Sequence, residues 1–235
     1  KGRRLPSNPA SGVELPRLPK VHKRYLSHDQ VDQLARECGT EGIVVLMLAY
    51  TGIRWGELAG IRVARVATGV RRVHIAEAMS EVNGVAIFGP PKTHADRWVA
   101  VPRFLQSPLG ELMAGKGPDD LLFTSPRGEV LRVHGFRRRG FDRAATAVGL
   151  PGLVPHELRH TAASLAIASG ANVKAVQSML GHASAAMTLD RYSHLFDGEL
   201  DVVADRLDEA RSRAVVPPLC PQDQVVSLPQ RAAAS

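Results

Sequence analysis

The chain has 235 residues, 44% of them hydrophobic and 23% charged, a globular composition that excludes wholesale disorder, collagen-like repeats and coiled coil. Its formal net charge of +7 at pH 7, with a pI near 9.9, points to a polyanion as partner, and the bias of 24 Arg over 6 Lys suits planar, bidentate phosphate recognition. Two distant cysteines, Cys38 and Cys220, offer neither a disulfide framework nor a cysteine-type zinc site, so a reducing, cytoplasmic setting is expected. The longest apolar run, Ile43 to Tyr50, is far shorter than the roughly 20 residues that cross a bilayer.

Residues 1–24 hold Lys1, Arg3, Arg4, Arg17, Lys20, Lys23 and Arg24 against the single acid Glu14, with four prolines blocking helix, and read as an extended basic linker. Position 1 is Lys, and a further DNA-binding domain is expected before it. Ser27 and Gln30 form a capping box ahead of the stripe Val31, Leu34, Ala35 and Cys38, which predicts a first helix. A second, fully buried helix is predicted from about Glu41 to Thr51, ended by Gly52. Short β-branched runs at Val73–Ile75, Val85–Phe88 and Trp98–Val101, separated by Asn83-Gly84 and Gly89-Pro90-Pro91, predict one three-stranded antiparallel sheet. Helical spacing returns after Pro102, from about Val133 to Val148, and from Pro155 to Ala168. Leu200, Val203, Leu207 and Ala210 mark a last amphipathic helix. The expectation is a mainly α fold with a small three-stranded antiparallel β-sheet, folded over residues 25–196, with a helix over 197–213 and a disordered tail over 214–235.

Four separated segments carry side chains suited to chemistry: Thr51-Gly52-Ile53-Arg54-Trp55-Gly56-Glu57, the turn residue Lys92, His156-Glu157-Leu158-Arg159-His160, and Leu180-Gly181-His182 followed by Tyr192. Singly, each has a bland reading: Arg54 as a surface residue past a helix end, Lys92 as a solvated hairpin charge, Tyr192 as a half-buried aromatic. The string from His156 to His160 also matches H-E-x-x-H, in which two histidines one turn apart hold zinc and the glutamate activates water. A third ligand is wanting, since Ala163 and Ala166 stand where the metzincin extension needs Gly and His, and only His182 offers itself. Arg159, a fixed cation beside the pair, argues against a metal. Read differently, His156 and Arg159 share a face at the start of a helix whose free N–H groups favour an anion, with Pro155 at its first position.

Taken in order, Arg54, Lys92, His156-x-x-Arg159, Gly181-His182 and Tyr192 resemble the tyrosine recombinase or phage integrase family, over about residues 21–196. The resemblance implies that family's catalytic-domain fold and a site-specific DNA recombinase whose Tyr192 forms a covalent 3′-phosphotyrosyl link, without metal, ATP or other cofactor. It implies Arg54 and Arg159 as phosphate-binding arginines, His156 and His182 as their helpers, Lys92 as the acid for the leaving 5′ oxygen, and Glu57 as buried support for Arg54. The partner implied is double-stranded DNA, held by a homo-tetramer of the full-length protein, in the setting of viral genome integration. These residue types suit the chemistry: five-coordinate phosphorus gathers charge on its non-bridging oxygens, which fixed donors must meet, and a tyrosine of pKa about 10 needs a base, for which His156 is the candidate. His160 is expected to pack or hydrogen-bond behind the site, and His94 to be exposed. Arg137, Arg138 and Arg139, with Lys20, Lys23 and Arg24, are expected on the DNA backbone. The helix over 197–213 docks on its own domain or on a neighbouring protomer, and the resemblance favours the latter. The competing readings are a non-catalytic basic DNA-binding module and a zinc hydrolase built on His156 and His160.

Overall fold

The computed structural model describes residues 12–13, 24–91, 96–196 and 199–213, with side chains of the last helix described over 203–212. Lys20, Lys23, Lys92, His94 and residues 214–235, on which several expectations fall, lie outside the described residues. Contacts divide the chain into a unit ending at Leu195 and a second beginning at Phe196. Among the described residues no helix is long and apolar enough to cross a membrane.

In the first unit, helix α1 (His28–Glu37) begins at the foreseen capping box: Gln30 N–H donates to Ser27 Oγ at 3.2 Å and Ser27 N–H to Gln30 Oε1 at 3.0 Å. Its buried stripe of Val31, Leu34 and Ala35 faces α2 (Gly42–Thr51), whose Val44, Val45, Met47, Leu48 and Ala49 form the centre of the core. α2 is apolar all round because α1 and α7 (Glu157–Ala168) cover it from different sides. The segment before α1 is tied to α7: Leu26 N–H donates to Thr161 Oγ1 at 3.2 Å, and Arg24 grips Glu157 at 2.9 and 3.0 Å. Short α3 (Trp55–Ala59) follows α2, and α4 (Arg103–Met113) buries Leu105 and Leu109. The helix expected over 133–148 is found as α5 (Val133–Phe136), a π-helical turn at Arg137–Phe141, and α6 (Asp142–Ala147).

Among the described residues the single three-stranded sheet is not formed. Four strands make two separate antiparallel ribbons, β1 (Arg72–Ile75) with β4 (Arg97–Ala100) and β2 (Ala78–Val82) with β3 (Val85–Gly89). The extra strand, Ala-Met-Ser-Glu-Val, lacks a β-branched run and owes its conformation to the Asn83-Gly84 turn, both residues at positive φ (51° and 78°), which folds it onto β3. Val73 pairs with Val99, and both face the core, while the β2–β3 ribbon packs through β2 against α3, where Gly56 lets the Met79 carbonyl approach. Like α3, the helices α8 (Val173–Leu180) and α9 (Ala185–Tyr192) were not expected, and they complete this unit among the described residues. The second unit is described through α10 (Glu199–Arg213), with Val203 and Leu207 exposed.

α2 ends at Gly52 in the left-handed conformation (φ 64°), its N–H donating to Leu48 O at 3.1 Å. A Cβ there would lie 2.6 Å from Leu180 Cδ2 and 3.3 Å from Ala162 Cβ, so glycine is required both by conformation and by the approach of α7 and α8. Gly52→Ala is expected to lose about 2–4 kcal/mol in urea unfolding, combining left-handed strain with overpacking. Gly69→Ala, at φ 74° with nothing within 4 Å of its Cβ, should show the smaller strain cost alone; equal losses would contradict the close-approach argument.

Candidate active site

Three consecutive residues, Leu180, Gly181 and His182, at the C-terminal end of α8 form the floor of the site. Gly181 caps α8 in the left-handed conformation (φ 63°) and turns two carbonyls outward. Arg159, two residues into α7 and 4% exposed, donates Nη2 to Leu180 O at 2.7 Å and Nη1 to Gly52 O. It thus sits between the negative ends of α2 and α8, which is where a buried cation is favoured. Burial and the nearby Arg54 lower its pKa to about 10, offset in part by Glu57, so it remains charged at neutral pH.

Arg54 stands between α2 and α3. Its Nη1 meets Glu57 Oε1 at 2.8 Å, its backbone N–H meets Oε2 at 2.8 Å, and its Nη2 reaches Gly181 O at 3.5 Å. Glu57, 1% exposed, also accepts two bonds from Arg97 at the start of β4, Nη1 at 3.0 Å and Nη2 at 2.7 Å. Burial alone would push this carboxyl up; the bonds and charge of Arg97, then those of Arg54, outweigh it and hold Glu57 below the usual carboxylate range. Arg97 was missing from the sequence reading. The available signal was physical: a fully buried carboxylate has more acceptor capacity than Arg54 alone can fill. The Arg97 guanidinium lies 2.8 Å from where a Cβ on Gly181 would stand, so the same glycine that turns the carbonyls also admits Arg97.

His182, 6% exposed, makes a 2.9 Å bond through Nδ1 to Thr188 Oγ1 on α9, while its buried Nε2 has no protein partner. Burial first, then Arg159, Arg191, Arg54 and Arg97, drive its pKa down to about 4. In the tautomer in which the Thr188 hydroxyl donates to Nδ1, the neutral ring carries its proton on Nε2 and can donate it to a ligand. His156 is the N-cap of α7 rather than an interior residue, which moves Pro155 to the position before the cap and not to the first helical position. Desolvation, then Arg159, Arg191 and Arg54, lower its pKa as well.

Tyr192, at the end of α9, is 0% exposed, with its ring nearly parallel to that of His182 (8°, centroids 6.4 Å apart). Its hydroxyl lies 2.8 Å from Nδ1 of His160, which makes His160 rather than His156 the histidine in contact with the tyrosine oxygen. Burial raises the Tyr192 pKa above its usual value of 10, with Arg159 and Arg191 pulling the other way.

The structure therefore brings Arg54, Glu57, Arg159, His182 and Tyr192 together around one helix end, with His156 and His160 on the adjoining α7. Glu157 is turned to other work: both its oxygens hold Arg24, and Oε2 also accepts Val154 N–H at 2.9 Å. A zinc hydrolase is disfavoured by this donor set, and no group of three metal-binding side chains is found among the described residues. The basic residues expected on DNA fare unequally. Arg24 bonds to Glu157 and Pro151 O, Arg137 to Asp142 (2.9 Å) and Arg139 to Glu41 (2.5 Å), so these donors serve the fold, whereas exposed Arg138 has no acidic partner among the described residues.

Comparison with known proteins shows the family of the chain. The chain is 32% identical over 213 residues to the tyrosine recombinase XerC of Mycobacterium leprae (strain TN), covering 86% of this chain and 69% of that protein. It is 29% identical to the integrase of Mycobacterium phage D29, covering 78% of this chain and 51% of that one. Its fold is similar to the crystal structure of XerA recombinase (TM-score 0.59, 25% identity, 84% of this chain and 67% of that one). It is also similar to the Tn1549 transposon integrase in complex with transposon right end DNA (TM-score 0.66, 21% identity, 81% and 67%). The model of the phage integrase family matches residues 24–199, and the chain belongs to that family, the site-specific tyrosine recombinases.

Proposed function

We propose that this recombinase cleaves and rejoins double-stranded DNA through Tyr192, with Arg54 and Arg159 holding the scissile phosphate. The observation that carries the reading is the convergence on residues 180–182: Arg159 on Leu180 O, Arg54 on Gly181 O, and the Tyr192 ring alongside His182. Two guanidinium groups held from behind by carbonyls and Glu57 keep their remaining N–H donors in place before the phosphate arrives, so little reorganisation is needed in the transition state. His182 Nε2 and His156 add donors to the non-bridging oxygens. The Tyr192 oxygen attacks phosphorus, the 5′ oxygen leaves with a proton from Lys92, and the phosphotyrosine conserves the bond for attack by another 5′ hydroxyl.

Arg138, within the π-helical turn, is proposed as a contact to the DNA backbone. Exposed Val203 and Leu207 on α10 support the reading of that helix as an element received by a neighbouring protomer, in a tetramer assembled on DNA.

On a nicked suicide duplex carrying the crossover sequence, the wild-type chain is expected to become covalently trapped. Tyr192→Phe should yield no adduct while retaining DNA binding in a mobility-shift assay. Absence of trapping by the wild type would favour a non-catalytic DNA-binding module; adducts with Tyr192→Phe would place the nucleophile elsewhere.

The low pKa of His182 has a consequence for stability. An imidazole whose folded value lies below its unfolded value of about 6.5 adds stability that is complete above that pH. This contribution is lost as the pH falls toward about 4, because the unfolded chain takes up the proton first. The thermal midpoint should therefore drop through this window, and His182→Gln should flatten the drop; an unchanged slope would show that His182 is not held neutral.

A further inference from the structure

We propose that His160 is the proton acceptor of Tyr192, taking the phenolic proton as cleavage begins and returning it when the strand is rejoined. The inference rests on Tyr192 being the nucleophile. His160 Nδ1 lies 2.8 Å from Tyr192 Oη, with the ring centroids 5.8 Å apart. At 0% exposure the phenol has no route for its proton into bulk water, so a base must be in hydrogen-bonding contact with it. His160 meets that requirement directly. His156, the other imidazole on α7, meets the edge of the His160 ring at 5.5 Å and stands one turn nearer the helix start, where the phosphate is proposed to bind. The two histidines thus divide the work, one facing the nucleophile and the other the phosphate.

The surroundings suit both charges that the transfer creates. Arg159 and Arg191 favour the phenolate. Glu157, three residues before His160 on α7, interacts favourably with a charged His160 and is itself fixed by Arg24. Glu157 thus favours a charged His160 through its charge alone, while Arg24 and Val154 N–H hold its oxygens in place.

The step balances. The Oη–H proton passes to Nδ1 of a ring protonated on Nε2, and the freed electron pair makes the Oη–P bond. The P–O5′ bond breaks with its pair on O5′, which takes a proton from the acid assigned above to Lys92 or from solvent. In rejoining, the attacking 5′ hydroxyl loses its proton to that acid's conjugate base or to solvent, Oη leaves phosphorus, and His160 gives its proton back.

The test measures cleavage of nicked duplexes that carry the crossover sequence with either an ordinary phosphate or a bridging 5′ sulfur at the cut position. A thiolate, with a parent thiol pKa of about 8.5, leaves without protonation, so the sulfur substrate restores variants that lack the acid but not those that lack the base. His160→Gln can hold the Tyr192 hydroxyl and cannot take its proton. Its adduct formation is expected to fall about 10²-fold or more on both substrates, with DNA binding retained. His160→Ala should fall similarly and regain activity with added imidazole. The inference is overturned if either folded variant cleaves at the wild-type rate or faster, as it would were His160 only a clamp on the resting tyrosine, or if the sulfur substrate restores it. Should the alanine variant fail to fold, the glutamine variant decides alone. Adducts formed by Tyr192→Phe would instead remove the reading on which the inference rests, so the two failures are distinct.

Discussion

A guanidinium buried beneath the proposed phosphate site must be held firmly without being neutralised, and here backbone carbonyls do the holding. Arg159 is fixed by Gly52 O and Leu180 O, at the ends of two helices that terminate beside each other. Carbonyls at a helix C-terminus carry partial negative charge and no proton to lose, so they stabilise the cation while leaving it available to a stronger anion. This arrangement constrains much of the fold. α2 must stop at a residue that accepts positive φ, α8 must do the same, and α7 must pass close enough for an arginine in its first turn to reach both.

Arg54 is held in the opposite manner, by a buried carboxylate, and Arg97 keeps that carboxylate from cancelling it. Each oxygen of Glu57 accepts from both Arg54 and Arg97, and the cluster of Arg54, Arg97 and Arg159 around one acid retains net positive charge. The low pKa values of His156 and His182 follow from the same excess of cations combined with desolvation, and neutral imidazoles at this position donate hydrogen bonds without adding to the repulsion. The phosphate proposed to bind there would relieve that repulsion. Tyr192, by contrast, is kept protonated by its burial, which would protect the proposed nucleophile until it is needed.

Much of this was legible in the sequence, and the failures have identifiable causes. α1 announced itself through its capping box, and α2 through an unbroken apolar run closed by glycine. α9 was not foreseen because its buried positions are Thr188 and Tyr192 while Met187 and Leu189 face outward, so hydrophobic periodicity points to the wrong face. β2 was missed because the turn and its partner strand, not its own residues, make it extended. The order of Arg54, His156, Arg159, His182 and Tyr192 indicated the chemistry correctly at the level of the family. Which histidine touches the tyrosine could not be read from spacing, since His156 and His160 are one helical turn apart and only the placement of α9 chooses between them. The pairing of Glu57 with Arg97 was likewise invisible, being a tertiary contact between a short helix and a strand 40 positions away.

The most direct test of the account is a crystal structure of the chain with orthovanadate bridging DNA strands at the cut position, vanadium standing for five-coordinate phosphorus. The account predicts equatorial oxygens bonded by the guanidinium groups of both Arg54 and Arg159, with Tyr192 Oη at one apex. Vanadate bound away from the two arginines, or a Tyr192 oxygen remote from the vanadium while both strands are in place, would contradict it.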